Sequence, residues 1–239
     1  MVCDFGEILS QETVALAPLG GINLHASLLP KYRGAAPINW AILRGEKETG
    51  VSVIHITPKL DGGPLLVVRS TPIGPEETTA ELEPRLAQLG IQPVLNAIQT
   101  LTTWDRISPL GTLQEPSQAT SARRLRKTDG NVIWSRAAQR ICNQVRGLKP
   151  WPGVYTHLIK PNSPALRILL DRVSLLPEES ANQVEAGCVA YVDATRLWVQ
   201  TGKGLLALEY VQPAGKRVME IREFLRGHTL AAGMRFGDA

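Results

Sequence analysis

The chain has 239 residues, a formal net charge of +4 and a hydrophobic fraction of 44%, enough for one large or two ordinary globular domains. No apolar run reaches the roughly 18 residues of a transmembrane helix. Three scattered cysteines, Cys3, Cys142 and Cys188, match neither a zinc-site spacing nor a disulfide framework. The first residues show no basic segment and no cleavage pattern, so a reducing cytoplasm is the expected setting. In chain order, Met1–Leu9 reads as a strand entering a loop, with Val2, Cys3 and Phe5 as mid-sheet residues. Ile22–Ala26 reads as a second strand. Pro37–Arg44 has helical spacing, and Pro37 suits a first helical turn. Val51–Ile56 alternates as a strand, and Leu65–Ser70 forms another after the Gly62-Gly63-Pro64 turn. Thr78–Leu101 is a long amphipathic helix pattern that Gly90 and Pro93 interrupt, so a kink or two helices are expected. Residues 104–121, rich in Pro, Gly, Ser and Thr, read as a linker. Ser135–Val145 follows as a short helix. Short apolar runs (Leu166–Leu170, Gly187–Val192, Leu197–Thr201, Leu205–Val211) then alternate with turn signals, the pattern of a small β-barrel.

The chemistry concentrates in Gly21–Gly34. Asn23 and His25 alternate at the end of a strand, and a period of two puts both on one face. Imidazole titrates near neutral pH and serves as a general base, while an amide N–H can meet a developing oxyanion. Downstream, Asp61 in the run Leu60–Pro64 can orient His25 as the third member of a triad orients its base. Asn-x-His with a distant Asp is also a conceivable metal site, but no second His or Cys stands nearby, so no metal is expected. His55 reads as structural, and His157 and His228 have no partner signature.

Asn23-x-His25, the loop Ser27-Leu28-Leu29-Pro30-x-Tyr32-Arg33-Gly34 and Asp61-Gly62 together resemble the core of the folate-dependent formyltransferases. Lys149–Thr156 and Gln212–Met219 resemble the C-terminal domain of the branch of that family acting on methionyl-tRNA. The resemblance implies an α/β architecture: a Rossmann-like formyltransferase domain (1–103), a linker (104–121) and an OB-like β-barrel that binds tRNA (122–239). It implies formyl transfer from 10-formyltetrahydrofolate, without a metal, to the α-amino group of methionyl initiator tRNA. Asn23, His25 and Asp61 would be catalytic, and Ser27, Leu28, Leu29, Pro30 and Gly62 would frame the folate. The family has several βα units ahead of the Asn-x-His strand. The chain as written is therefore expected to lack the N-terminal part of that domain, to self-associate, and to have little activity by itself. The family's acceptor-stem loop lies in that part, so none of its residues carries over. The family also usually places an acidic residue before the tryptophan at Trp134, where this chain has Ile133.

Charge is unevenly spread. Residues 1–103 carry 7 Lys and Arg against 10 Asp and Glu, and residues 104–239 carry 19 against 12. Such a split fits a second half that meets a polyanion. Arg123, Arg124, Arg126 and Lys127 cluster near the expected domain start, Arg136, Arg140 and Arg146 recur through the next helix, and Lys216 and Arg217 follow a turn. With the resemblance, Arg33, Arg123, Arg124, Arg126, Lys127, Arg146, Lys216 and Arg217 are the expected tRNA contacts; Arg33 is alternatively a contact for the folate tail. Trp134 and Trp151 read as packing residues. Two other readings stay open: a formyltransferase acting on an amino sugar or a glycinamide nucleotide, and a tRNA-binding remnant without turnover.

Overall fold

The computed structural model describes residues 1–3, 9–160, 163–177 and 184–237; Phe5 lies outside them. The chain divides into two compact units, Met1–Leu125 and Arg126–Ala239. The stretch 104–121 therefore belongs to the first unit. There Leu65 and Thr112 exchange backbone hydrogen bonds of 2.8 and 2.9 Å, and Ala122 N–H donates to the Arg33 carbonyl at 2.7 Å. Its turn-rich composition serves a strap along the first sheet.

The first unit is a four-stranded mixed sheet in the order β1-β2-β3-β4. β1 (Val2–Cys3) runs parallel to β2 (Ile22–His25), and β3 (Glu48–His55) and β4 (Leu65–Pro72) are antiparallel additions. A short helix α1 (Gln11–Ala15), capped by Ser10, separates β1 from β2. The pleat sorts residues by face. Ile22, Leu24, Val51 and Val53 turn toward the helices α2 (Pro37–Arg44) and α3 (Thr79–Thr102) and build two apolar clusters with Ile42, Leu82, Leu86, Val94 and Leu101. Asn23, His25, Ser52 and Ile54 take the opposite face, in the registers Asn23↔Ile54 and His25↔Ser52.

α3 is one helix of 24 residues, not two, although Pro84 and Pro93 lie inside it. Each proline costs about 3 kcal/mol in a helix interior. Leu82, Leu86, Val94, Ala97 and Leu101 are buried against the sheet, and burying one large apolar side chain is worth about 1.5–3 kcal/mol. Packing therefore outweighs local propensity. Gly90 is a point of contact rather than a break: a Cβ there would stand 2.7 Å from Leu24 Cδ2, so its bare backbone lets α3 lie close on β2.

The second unit is antiparallel. Its strands are β5 (Tyr155–Ile159), β6 (Leu166–Leu175), β7 (Val189–Val192), β8 (Leu197–Gln200), β9 (Leu205–Pro213), the short β10 (Met219–Glu220) and β11 (Arg235–Gly237), in the order β11-β5-β6-β9-β8-β7, with β10 on β9. The two ends of that order meet. Cys188 bridges Arg235, Val189 N–H donates to Met234 O at 2.7 Å, and Phe236 N–H donates to Gly187 O at 2.7 Å. The sheet is thus nearly closed into a barrel and leaves little edge. Leu158, Ile168, Val189, Leu197, Val199, Leu206, Leu208 and Phe236 are buried. α4 (Ala138–Gly147) packs on β6, and α5 (Ile221–Gly227) follows β10. Trp134 is buried with its Nε1–H on Thr156 Oγ1 at 3.0 Å. Trp151 is 51% exposed, which corrects the expectation of a packing residue: the Pro150–Gly153 turn carries it on the surface. Among the described residues no helix is long and apolar enough to cross a membrane.

Ser52 ties the loop after β2 to the sheet. Its fully buried hydroxyl donates to the Ser27 carbonyl at 2.7 Å and accepts from the Leu29 N–H at 3.1 Å. Ser52→Ala strands both backbone groups. We expect it to lower unfolding free energy by about 1–3 kcal/mol in urea titration, with most of the loss recovered in Ser52→Thr.

Candidate active site

Three segments of the first unit converge on the polar face of β2: the strand itself, the loop Ala26–Ala36, and the turn Lys59–Gly63. The loop is folded inward by its own backbone and by the strap. Ser27 Oγ donates to Lys31 O at 2.7 Å, Tyr32 N–H donates to Thr120 Oγ1 at 2.9 Å, and Arg33 N–H donates to Thr120 O at 2.8 Å. Tyr32 adopts a left-handed conformation (φ 62°). Its buried ring packs in the apolar cluster with Ala41, Ile42 and Val51, and its hydroxyl donates to Glu46 at 2.6 Å. Burial, and then Glu46, push the phenol well above its ordinary pKa, so it remains a donor.

That conformation delivers the Tyr32 carbonyl to His25 Nε2 at 2.9 Å. A carbonyl oxygen only accepts, so Nε2 carries the hydrogen. The opposite tautomer would set two acceptors against each other in a buried site, at a cost of about 1–3 kcal/mol. In the neutral ring Nδ1 is therefore bare. It lies 3.7 Å from Asp61 Oδ2, beyond hydrogen-bond reach. The hydrogen bond expected from Asp61 to the ring is not formed at this distance; the ring's hydrogen-bond partner is the Tyr32 carbonyl, and Asp61 stands beside Nδ1. Once Nδ1 is protonated, the carboxylate faces an imidazolium N–H.

Asp61 is only 10% exposed in its side chain and needs partners. Its Oδ2 accepts the Gly34 N–H at 2.8 Å and its Oδ1 faces Asn23 Nδ2 at 3.4 Å. Asn23 thereby keeps a second N–H for another acceptor. Asp61 has φ 45°, a region that Asp tolerates better than most residues. Behind it, Gln114 Nε2 donates to the carbonyls of Asp61 (2.7 Å) and Gly63 (2.8 Å), and Gln114 Oε1 accepts from Arg33 Nε (3.1 Å) and Nη2 (2.6 Å). Tyr32 and Gln114 were missed in the sequence. A Tyr in the loop motif was visible, but the working atom is its carbonyl, and Gln114 sits in a stretch with linker composition.

The expected folate-framing residues fall in this region with different exposures. Ser27 and Leu29 are buried in the loop's interior, whereas Leu28, Pro30 and Gly62 are half-buried. Of the expected tRNA contacts in the first unit, Arg33 is half-buried and held on Gln114. Arg123 is exposed and stacks over Trp40, whose Nε1–H donates to the Arg123 carbonyl at 2.8 Å; Arg124 is exposed. In the second unit, Arg126, Lys127, Lys216 and Arg217 are exposed. Arg217 pairs with Glu223 beside a groove of about 480 Å³ that Arg222 and Arg226 also line. Arg146 is half-buried, with Nη2 on Asn143 at 2.9 Å. His55 supports the sheet through Nε2, 3.0 Å from the Leu19 carbonyl. No cluster of three or more His, Cys, Asp or Glu side chains suited to a metal is found among the described residues.

Comparison with known proteins agrees with this architecture. Residues 1–98 match the model of the formyl transferase family, and residues 124–229 match its C-terminal domain. A methionyl-tRNA formyltransferase of Rhodopirellula baltica is 43% identical over 239 residues, covering 98% of this chain and 70% of its own length. That of Alkaliphilus metalliredigens is 37% identical over 238 residues, covering 100% of this chain and 73% of its own length. Among solved structures, HypX from Aquifex aeolicus in complex with tetrahydrofolic acid superposes with a TM-score of 0.59 at 16% identity, over 89% of this chain and 38% of HypX; this last is a likeness of fold. The chain belongs to the formyl transferase family, in its methionyl-tRNA formyltransferase branch.

The turn that carries Asp61 separates its two glycines. A Cβ on Gly63 would overlap the His55 carbonyl oxygen, whereas one on Gly62 would press on the base of the Lys59 side chain, 2.6 Å from Cγ and 3.1 Å from Cβ. Gly63→Ala should therefore cost about 1–3 kcal/mol of stability, and Gly62→Ala should cost less, since a side chain can shift where a backbone carbonyl cannot. Paired chemical-denaturation curves check this.

Proposed function

We propose that this chain transfers the formyl group of 10-formyltetrahydrofolate to the α-amino group of methionyl initiator tRNA, with Asn23, His25 and Asp61 as its catalytic residues. The observation that carries the reading is the constellation on the polar face of β2: a bare nitrogen on a buried imidazole ring, a carboxylate beside it, and an amide with an N–H that no acceptor among the described residues takes up. The relatives' identity along the whole chain favours methionyl-tRNA over a small amine as acceptor.

Formyl transfer asks for what these groups supply. The free amine attacks the formyl carbon, a C–N bond forms, and the carbonyl π pair moves to oxygen. Asn23 donates its second N–H to that oxyanion, which strengthens as the charge develops. His25 Nδ1 takes the proton the amine must lose, and the Asp61 carboxylate faces the resulting imidazolium. The oxyanion then collapses, the bond to the folate nitrogen breaks, and His25 returns the proton to that nitrogen. Protons balance across the cycle, and the ring ends as it began, with hydrogen on Nε2.

The second unit suits a polyanionic substrate. Residues 126–239 carry 16 Lys and Arg against 10 Asp and Glu, a net of +6. Exposed Arg126, Lys127, Lys216 and Arg217 are its proposed phosphate contacts; Arg123 and Arg124 are those proposed in the first unit.

With 10-formyltetrahydrofolate and methionyl initiator tRNA, Asn23→Ala should lower kcat by about 10²–10³-fold, with donor affinity close to wild type. Near-normal turnover in that variant would remove Asn23 from the oxyanion role.

A further inference from the structure

Gln114 has no charge, lies in a strap of turn-like sequence, and uses both ends of its amide. Its NH₂ group spans the carbonyls on either side of Gly62, at 2.7 Å to Asp61 O and 2.8 Å to Gly63 O. Its oxygen takes two N–H groups of Arg33, at 3.1 and 2.6 Å. We propose that Gln114 is the positioning residue that sets the Asp61 carboxylate against His25 and Asn23. The inference rests on the formyl-transfer reading of this site.

Two backbone oxygens fixed by one rigid amide fix the rotation of the Asp61–Gly63 turn. Rotation of that turn swings the Asp61 side chain. The other end of the clamp acts on the same carboxylate. Arg33 immediately precedes Gly34, whose N–H donates to Asp61 Oδ2 at 2.8 Å, so Gln114 joins the carboxylate's own backbone to the residue beside its hydrogen-bond donor. The strap brings Gln114 there by pairing, since Leu65 and Thr112 exchange two backbone hydrogen bonds just before it. Asp61 holds a left-handed φ of 45°, a conformation that persists when its surroundings determine it. Nothing in this arrangement requires Gln114 to touch substrate. Its effect passes through Asp61, and a misplacement of about 1 Å in such a group costs on the order of 10²-fold in rate.

Gln114→Glu separates this role from simple support of Arg33. The glutamate keeps, and strengthens, the pairing with Arg33. It has no N–H for the two carbonyls, and it sets a carboxylate oxygen against them. In the full chain, kcat for formyl transfer should fall roughly 10–10²-fold, with the donor Kd changed by less than about threefold. The ¹H–¹⁵N resonance of Gly34 reports the carboxylate without reference to activity: its amide proton should lose its downfield shift and its protection from exchange. If Gln114→Glu fails to melt cooperatively, Gln114→Met, which removes the donors without burying a charge, is read in the same way. A Gly34 amide that keeps shift and protection in the folded variant overturns the inference. So does a wild-type kcat. A wild-type chain with no formyl transfer would instead refute the proposed function, and the Gly34 amide would still decide what Gln114 does.

Discussion

The hydrogen bond from His25 Nε2–H to the Tyr32 carbonyl is the constraint on which the site depends. At 2.9 Å in a buried environment, it selects one of two tautomers that are close in energy in free imidazole. Its net worth as a bond is about 1 kcal/mol, but leaving two acceptors facing each other would cost about 1–3 kcal/mol, and that asymmetry decides the matter. The choice fixes which nitrogen is bare. It also separates two tasks that a Ser-His-Asp triad assigns to its carboxylate. Orientation is given to a backbone oxygen, and in the proposed reaction Asp61 is left to answer the charge that would appear on Nδ1.

A carbonyl can do this only if the loop that bears it is rigid. The loop has no regular structure of its own, so its backbone groups are held by side chains: Ser52 from β3, Thr120 from the strap, and the Ser27 hydroxyl, which donates to the Lys31 carbonyl within the loop. Tyr32 closes the arrangement from the far side, its phenol on Glu46. The strap is thus a working part of the site. Through Thr120 and Gln114 it touches both the loop that orients His25 and the turn that carries Asp61.

Side-chain chemistry was legible in the sequence; backbone chemistry was not. Asn23 and His25 could be placed on one face because strand periodicity is geometric, and Asp61 could be added because of its glycine-rich turn. The Tyr32 carbonyl carries no residue signature, and its direction comes from a left-handed φ that only the folded loop imposes. Gln114 was hidden for a related reason: polar and turn-forming residues mark a linker and a paired strap alike. Of the two outcomes that Gly90 and Pro93 suggested, a kink or two helices, the second is excluded, because the burial of α3 overrides a local penalty that sequence reading weighs alone. In the second unit, apolar alternation disclosed a barrel, but closure through Cys188, Val189 and Phe236 depends on pairings between residues far apart in the chain.

The tautomer of His25 is directly observable. With ¹⁵N-labelled histidine in the intact chain, at a pH where the ring is neutral, the two ring nitrogens of His25 have distinct chemical shifts and distinct couplings to the ring protons. The account predicts a pyrrole-type, proton-bearing Nε2 and a pyridine-type, bare Nδ1. A His25 ring found with its proton on Nδ1 and a bare Nε2 would contradict it, and would return the orienting role to Asp61.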